Sequence, residues 1–484
     1  MFLMIFLFFL VKKVVKQLYY LPFTLDKQIF FSYNIIETFF RQENIIEMSL
    51  KVLKFGGSSL ADAEHFRQVA EIIKSDPTRR YIVASAPGKR QGSDTKVTDL
   101  LYKCYTLASN EEDVTKVFEQ IKQRYIDIIN DLGIDLDLSE RFERIRQSLL
   151  HNTGRDYIAS RGEYLNAMIL AKYLGFDFID AKKVIFFNED GSFNAEKTND
   201  VMREALSNVE YAVIPGFYGS MPNGTIKTFS RGGSDITGSI VARAASATLY
   251  ENWTDVSGFL MADPRIIDNP KPIKTITYKE LRELSYMGAT VLHEDAIFPV
   301  RYSKIPINIR NTNRPEDKGT FIVPETDEMG EHIITGIAGR TGFSSVTIEK
   351  AMMNSELGLG RRVLQVLEEN KISFEHFPSG IDTMTVIVST KALAEKRADV
   401  LAGICKHINP ENVFVEENMA LLAVVGRGMI KAKGTAARIF TSLAKANVNI
   451  RMIDQGSSEL NIIIGVDAND YITALNAIYN EFVK

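Results

Sequence analysis

Three short segments combine residue types at spacings suited to phosphoryl chemistry on a small charged molecule. Lys54-Phe-Gly-Gly-Ser-Ser59 reads as a strand end running into a Gly-Gly turn and then a helix. Glycines let the backbone approach an anion closely, a helix N-terminus adds partial positive charge, and Lys54 adds a full one. With the lysine two residues ahead of the glycines on a buried strand, the segment reads as a phosphate cradle rather than a plain turn. Thr228-Phe-Ser-Arg-Gly-Gly-Ser-Asp235 is a second glycine-rich turn opening a helix. The planar fork of Arg231 suits a carboxylate, and Ser234 adds a donor. Asp235 has two readings: an ordinary capping residue, or a carboxylate that orients a cation, either Lys54 or a substrate ammonium. Ser160-Arg-Gly-Glu163 places a carboxylate near the start of a long helix and by itself decides nothing.

Several other chemistries are excluded. Gly88-Lys89 is followed by Arg90, so the P-loop pattern fails, and no HRD-type loop or strand-linked GxGxxG occurs. Lys and Arg number 57 against 61 Asp and Glu, a net charge of -4 that offers no basic surface for nucleic acid. Two cysteines, Cys104 and Cys405, cannot build a disulfide framework or a zinc module, and they fit a reducing cytosol. Six scattered histidines show no metal-ligand spacing.

The elements that must position these segments follow from length and pattern. A chain of 484 residues holds roughly three domains at about 150 residues each. Residues 1–47 do not match the rest. The apolar run Met1–Val11 is too short for a bilayer, which needs about 20 residues, and it lacks the leading charge and cleavage site of a signal peptide. It reads either as a translated extension upstream of a natural start at Met48 or as a membrane-surface anchor, with no stable insertion. From Leu50 onward, strand patterns at 52–55, 81–85, 176–179, 212–214, 248–253 and 305–309 alternate with helical ones such as 61–74 and 236–246. That alternation predicts an α/β domain over 48–315, a mostly parallel sheet sandwiched by helices. Residues 111–150 read as two helices broken at Gly133, an insert or subdomain without motifs. Asn, Pro, Asp, Gly and Thr cluster over 311–331 around one apolar strand, 320–323, which places a linker at 316–330. Beyond it a βαββα pattern occurs twice, over 331–410 and 411–484. Two such α+β units without catalytic signatures suggest binding or regulation, or a bare dimerisation platform.

Taken in order, Lys54-Phe-Gly-Gly-Ser-Ser59, Arg231-Gly-Gly-Ser-Asp235, Trp253-Thr-Asp-Val256 with Asp263-Pro-Arg265, and Gly288-Ala-Thr-Val-Leu-His293 resemble the aspartate kinases of the amino-acid kinase superfamily. The resemblance runs from about Leu50 to the C-terminus. It implies the amino-acid kinase fold followed by paired ACT domains (βαββαβ), in a chain without the fused homoserine dehydrogenase of some relatives. The implied reaction is ATP- and Mg2+-dependent phosphorylation of the β-carboxylate of L-aspartate to 4-phospho-L-aspartate, which opens lysine, threonine and methionine biosynthesis in the cytoplasm. By position, Lys54 resembles the catalytic lysine and Asp235 the aspartate that orients it, while Gly56, Gly57 and Ser58 resemble phosphate-holding groups. Arg231, Glu163, Ser85, Thr98 and Ser234 resemble aspartate contacts, and Thr254, Asp255 and Arg265 the nucleotide segment. The ACT pair implies a lysine or threonine effector and a homodimer or higher oligomer. Ser355, Glu375 and Asp382 in the first repeat and Asn447, Asn449 and Asn461 in the second are effector candidates, each with an equally simple turn or capping reading. Leu260 stands where many relatives carry tyrosine, and Thr290 and Glu294 replace the frequent lysine and proline. Two other readings therefore stay open: a glutamate 5-kinase-like enzyme, and a catalytically silent amino-acid sensor.

Overall fold

Strands that are apolar on both faces need cover on both, and the first sheet is built from such strands. The computed structural model describes residues 49–483 apart from 152, 231, 290–291, 293–297, 327 and 329. The extension 1–47, Arg231, Thr290, His293 and Glu294 thus lie outside the described residues. In chain order the N-terminal half contains β1 (Lys51–Phe55), β2 (Arg79–Ala84), β3 (Asp177–Phe178), β4 (Ala212–Pro215), a hairpin β5 (Tyr218–Ser220) with β6 (Ile226–Thr228), β7 (Leu249–Thr254), β8 (Thr275–Thr277), β9 (Ile307–Asn311) and β10 (Thr320–Val323). Eight of these form one sheet in the order β3-β4-β2-β1-β7-β9-β10-β8, and only the β9–β10 pair is antiparallel. Because β1, β2, β4 and β7 run the same way, their C-terminal ends share one edge of the sheet, where open parallel sheets bind ligands.

Two departures from the sequence reading have plain causes. Residues 320–323, expected within a linker, form β10 inside this sheet, between β9 and β8, because an apolar strand gains more by pairing there than by crossing solvent. The stretch 111–150 forms helices Thr115–Leu132 and Ser139–Leu150, the first ended by Gly133 at φ 65°. These helices are not an appended subdomain. Phe118, Tyr125 and Phe142 share a core with Phe55, Ile82 and Trp253.

The C-terminal half contains β11 (Gly336–Glu349), β12 (Phe374–His376), β13 (Thr383–Ser389), β14 (Asn412–Val425), β15 (Ile450–Asp454) and β16 (Asn461–Asp467), in one antiparallel sheet ordered β12-β13-β11-β14-β16-β15. The first repeat's first helix forms over Leu359–Glu369, and its second is split into Thr390–Ala394 and Arg397–Ile408. The boundary drawn at 410/411 falls just ahead of a single 14-residue strand. β14 pairs with β11 of the first repeat along its whole length and with β16 of the second over 419–425, so one strand serves both. Burial alternates over 412–416, but Phe414 is apolar and exposed between Val413 and Val415, so the sequence shows no period-two pattern there.

One helix joins the halves. Tyr278–Tyr286 opens with a capping box in which Thr277 and Glu280 satisfy each other. Glu280, fully buried, also accepts from Thr335 Oγ1 (2.6 Å), the Arg427 backbone N–H (2.9 Å) and Arg427 Nη1 (2.9 Å). At the far end of the helix, the Tyr286 hydroxyl donates to Glu375 (2.5 Å).

Candidate functional site

β1 carries the central cation. Lys54 is only 8% exposed, and its Nζ lies 2.7 Å from Asp235 Oδ1. Asp235 is the third residue of the helix Gly233–Ala244, whose N-cap is Gly232 at φ 57° without a side-chain cap. The capping reading of Asp235 thus falls away, and of the two cations considered, Lys54 is the one beside it. The same Oδ1 accepts from Asn252 Nδ2 (2.9 Å), and the Tyr250 hydroxyl donates to the Asp235 carbonyl (3.1 Å). Asn252 of β7 therefore fixes the carboxylate that fixes the lysine, and Tyr250 of the same strand holds the Asp235 backbone.

The Gly56-Gly57 turn follows directly. Gly56 N donates to the Trp253 carbonyl (3.0 Å), which sets the end of β1 beside Thr254 and Asp255 at the end of β7. Gly57 backs onto the next loop: a Cβ there would sit 2.8 Å from the Ala86 carbonyl, and Gly88 N donates to the Gly57 carbonyl at 2.8 Å. Only glycine permits that approach. Ser58 begins the short 3-10 turn Ser58–Leu60, and the Ser59 hydroxyl meets Thr312 Oγ1 at 2.7 Å. Trp253 is structural: it is buried, its Nε1 donates to Glu251, and the guanidinium of Arg310 lies over its ring.

On the other side of the Ala86–Gly88 loop stands the helix Arg155–Leu174, buried on nearly all faces and carrying Glu163. A Cβ on Gly162 would meet Ala86 at 2.8 Å and Thr98 Oγ1 at 3.9 Å, so Thr98 and Glu163 flank one contact. Glu163 is 5% exposed, and its Oε2 has no hydrogen-bond partner. Burial pushes its carboxyl up to about 8, only partly offset by backbone N–H groups, Ala86 among them, and by Arg161. Ser85, at the end of β2, donates its N–H to the Phe55 carbonyl (3.2 Å), and Ser234 packs directly on Gly216 at the end of β4.

The structure thus gathers Lys54, Asp235, Gly56, Gly57, Ser58, Ser85, Thr98, Glu163, Ser234, Thr254 and Asp255 around the ends of β1, β2, β4 and β7. It does not bring Arg265 there: that guanidinium is 85% exposed and is paired with Asp263 of its own turn (2.6 Å). Arg231 lies outside the described residues.

Some contributors escaped the sequence reading. Asn252 was legible as a polar residue in a buried strand, and Asn166 as the neighbour of Glu163 one helical turn on. Arg124 gave no signal within its charged helix, yet its Nη2 donates to the carbonyls of Gly88 (2.8 Å) and Ala61 (3.1 Å) while Nη1 pairs with Asp94. It fastens the loop behind the Gly-Gly turn. Of the effector candidates, Glu375 and Asn461 are engaged by domain contacts, with Tyr286 and Arg340 and with Glu283 respectively. Asp382 and Ser355 both bond the backbone of Met352, Asn447 occupies a left-handed turn at φ 57°, and Asn449 is exposed.

Comparison with known proteins gives a consistent outcome. A profile of the Amino acid kinase family matches residues 49–311, and an ACT domain profile matches residues 422–482. Aspartokinase 3 of Bacillus subtilis is 39% identical over 452 residues, covering 90% of this chain and 98% of that protein. The crystal structure of Clostridium acetobutylicum aspartate kinase, described as allosteric, superposes with a TM-score of 0.82 at 52% identity over 90% of this chain and all of that one. Escherichia coli aspartokinase III in complex with aspartate and ADP shares the fold, with a TM-score of 0.69 at 24% identity, over 90% of this chain and 99% of that one.

Proposed function

This chain belongs to the amino acid kinase family, and on that premise we propose that it is an ATP-dependent kinase for the β-carboxylate of L-aspartate, with the site described above as its catalytic centre. The carrying observation is the buried Lys54–Asp235 pair at the mouth of the Gly56-Gly57 turn, facing the buried, half-paired Glu163 across the Ala86–Gly88 loop.

The chemistry follows from charge. The β-carboxylate of aspartate has an ordinary pKa of about 3.9 and is ionised at neutral pH, so its attack on the γ-phosphorus needs no general base. The barrier comes from bringing two anions together. Lys54 supplies a positive charge whose position Asp235 and Asn252 hold, and a preorganised cation beside the transferring group stabilises the charge spread over its oxygens. Glu163 binds the α-ammonium, Arg231 the α-carboxylate, and Ser85, Thr98 and Ser234 complete the contacts. Gly56, Gly57 and Ser58 hold phosphate oxygens, with Thr254 and Asp255 on the nucleotide; Arg265 would have to leave Asp263 to reach the phosphates. Among the described residues no three His, Cys, Asp or Glu side chains converge to hold a metal. Mg2+ carried on the triphosphate oxygens would neutralise phosphate charge at this site.

Around this centre we place a regulatory role for the C-terminal sheet, with lysine or threonine as effector, assembly as a homodimer or larger, and residence in the cytosol. No helix among the described residues is long and apolar enough to cross a membrane. The deciding assay is ATP-dependent acyl-phosphate formation trapped with hydroxylamine, run with aspartate, glutamate and acetylglutamate and repeated with lysine, threonine or methionine added. Aspartate hydroxamate should dominate, and Lys54→Ala should lower turnover by about 10³-fold with the fold intact. No hydroxamate from any of the three with folded protein would overturn the enzyme reading in favour of a silent sensor.

A further inference from the structure

The helix Arg155–Leu174 buries four polar side chains between Ser160 and Asn166, and they are treated in two ways. Ser160 and Arg161 are satisfied: the Ser160 hydroxyl donates to the Tyr157 carbonyl (2.7 Å), and Arg161 donates to Ser160 Oγ (2.9 Å) beneath the rings of Tyr157, Tyr164 and Tyr218. Glu163 and Asn166 are not. Glu163 Oε2 and Asn166 Oδ1 are both buried acceptors without a donor, and Asn166 is fully buried. Its amide orientation is set by its other end, since Nδ2 donates to the Ser85 carbonyl at 2.7 Å. Turning the amide over would put two oxygens against each other.

Residues three apart on a helix are neighbours on one face, with Cβ atoms about 5–6 Å apart. Two unpartnered acceptors so placed, one ionisable and one neutral, repel a carboxylate and suit a group with several N–H donors and a positive charge. An ammonium, with three donors, is the smallest such group. A buried acceptor without a donor calls for an explanation, and a guest that supplies the missing donor is one.

We propose that Asn166 is a substrate-binding residue: its Oδ1 and Glu163 Oε2 together receive the ammonium of the amino-acid substrate, while its Nδ2 holds the Ser85 carbonyl at the rim of the pocket. This rests on the assignment of Glu163 to the ammonium and adds a second acceptor to it. Selection for an amino acid over the corresponding dicarboxylic acid then depends on both residues.

The test is calorimetric titration of the full chain with L-aspartate and with succinate, which has the same two carboxylates and no amine. Asn166→Ala should weaken aspartate by about tenfold, the loss of one hydrogen bond to a charged group, and leave succinate within about twofold. Asn166→Asp keeps an acceptor oxygen and should retain the preference for aspartate; circular dichroism checks that both variants fold. Equal weakening of both ligands in Asn166→Ala, or loss of the preference in Asn166→Asp, would assign the effect to the Ser85 bond and overturn the inference. The parent assignment fails separately: if Glu163→Gln leaves the aspartate preference intact, Glu163 does not read the amine. A preference lost in Glu163→Gln but kept in Asn166→Ala sinks only the role given to Asn166.

Discussion

Two glutamates are buried almost equally and treated in opposite ways. Glu163, in the pocket, keeps one oxygen without a donor, and burial pushes its carboxyl up to about 8. Glu280, at the joint between the halves, is fully buried too. Burial raises its carboxyl, but donors from Thr335, the Arg427 backbone and Thr277 outweigh that and leave it below the usual range. The contrast separates a group kept waiting for a guest from a group that holds two parts of the chain together. One helix thus meets both repeats: Glu280 and Tyr286 sit at its two ends, touching Arg427 and Glu375.

The comparison can be broken most sharply at the joint. Arg427→Met leaves a buried carboxylate without its main cation and should cost about 3–5 kcal/mol in thermal or urea unfolding. A loss below about 1 kcal/mol would mean that Glu280 finds other partners and is no joint. Glu163→Gln removes the charge for which the pocket waits. Aspartate affinity should fall by one to two orders of magnitude, about 1.5–3 kcal/mol, while ligand-free stability at neutral pH does not fall.

The pH dependence sharpens the contrast, because the two shifts have opposite signs. A carboxyl raised in the folded state contributes stability below its unfolded pKa of about 4.5 that is lost as pH rises through about 8. The ligand-free wild type should therefore lose stability relative to Glu163→Gln between about pH 5 and 8, and its aspartate affinity should rise over the same window as the carboxylate forms. Glu280, lowered when folded, contributes stability above its unfolded pKa that is lost as pH falls through the folded value. Melting curves of wild type, Glu163→Gln and Glu280→Gln across pH 4–8.5 read both signs, and parallel curves would erase the distinction. The smallest effect belongs to Tyr286→Phe, which removes one hydrogen bond between partly exposed partners at the other end of the helix. It should cost about 1 kcal/mol or less, while changing the response of activity to an added effector amino acid.

How much was legible in the sequence varied with the range of the interaction. Lys54, the Gly-Gly turn, Arg231 and Asp235 stood out because local spacing encodes local geometry: a strand end, a tight turn, a helix start. The parallel sheet followed from apolar strands alternating with helices. β10 was visible as an apolar stretch but was assigned to a linker, since nothing nearby says that it inserts between β9 and β8. The strand over 412–418 was hidden because apolar Phe414 is exposed between Val413 and Val415, so apolar and polar residues do not alternate there. Arg265 has a type and motif suited to phosphate, and its guanidinium is paired with Asp263, two residues away.

The sequence by itself therefore determined the class of architecture, the doubled C-terminal pattern and the side chains able to handle phosphate, because periodicity and turn chemistry act within a few residues. Tertiary structure alone decided which groups meet. It set Asp235 against Lys54 rather than at a cap, closed the donors of Thr335 and Arg427 around Glu280, and left Glu163 and Asn166 open. Whether a buried polar atom is satisfied depends on donors distant in the chain, and only the folded packing of helix, strand and loop brings them within reach.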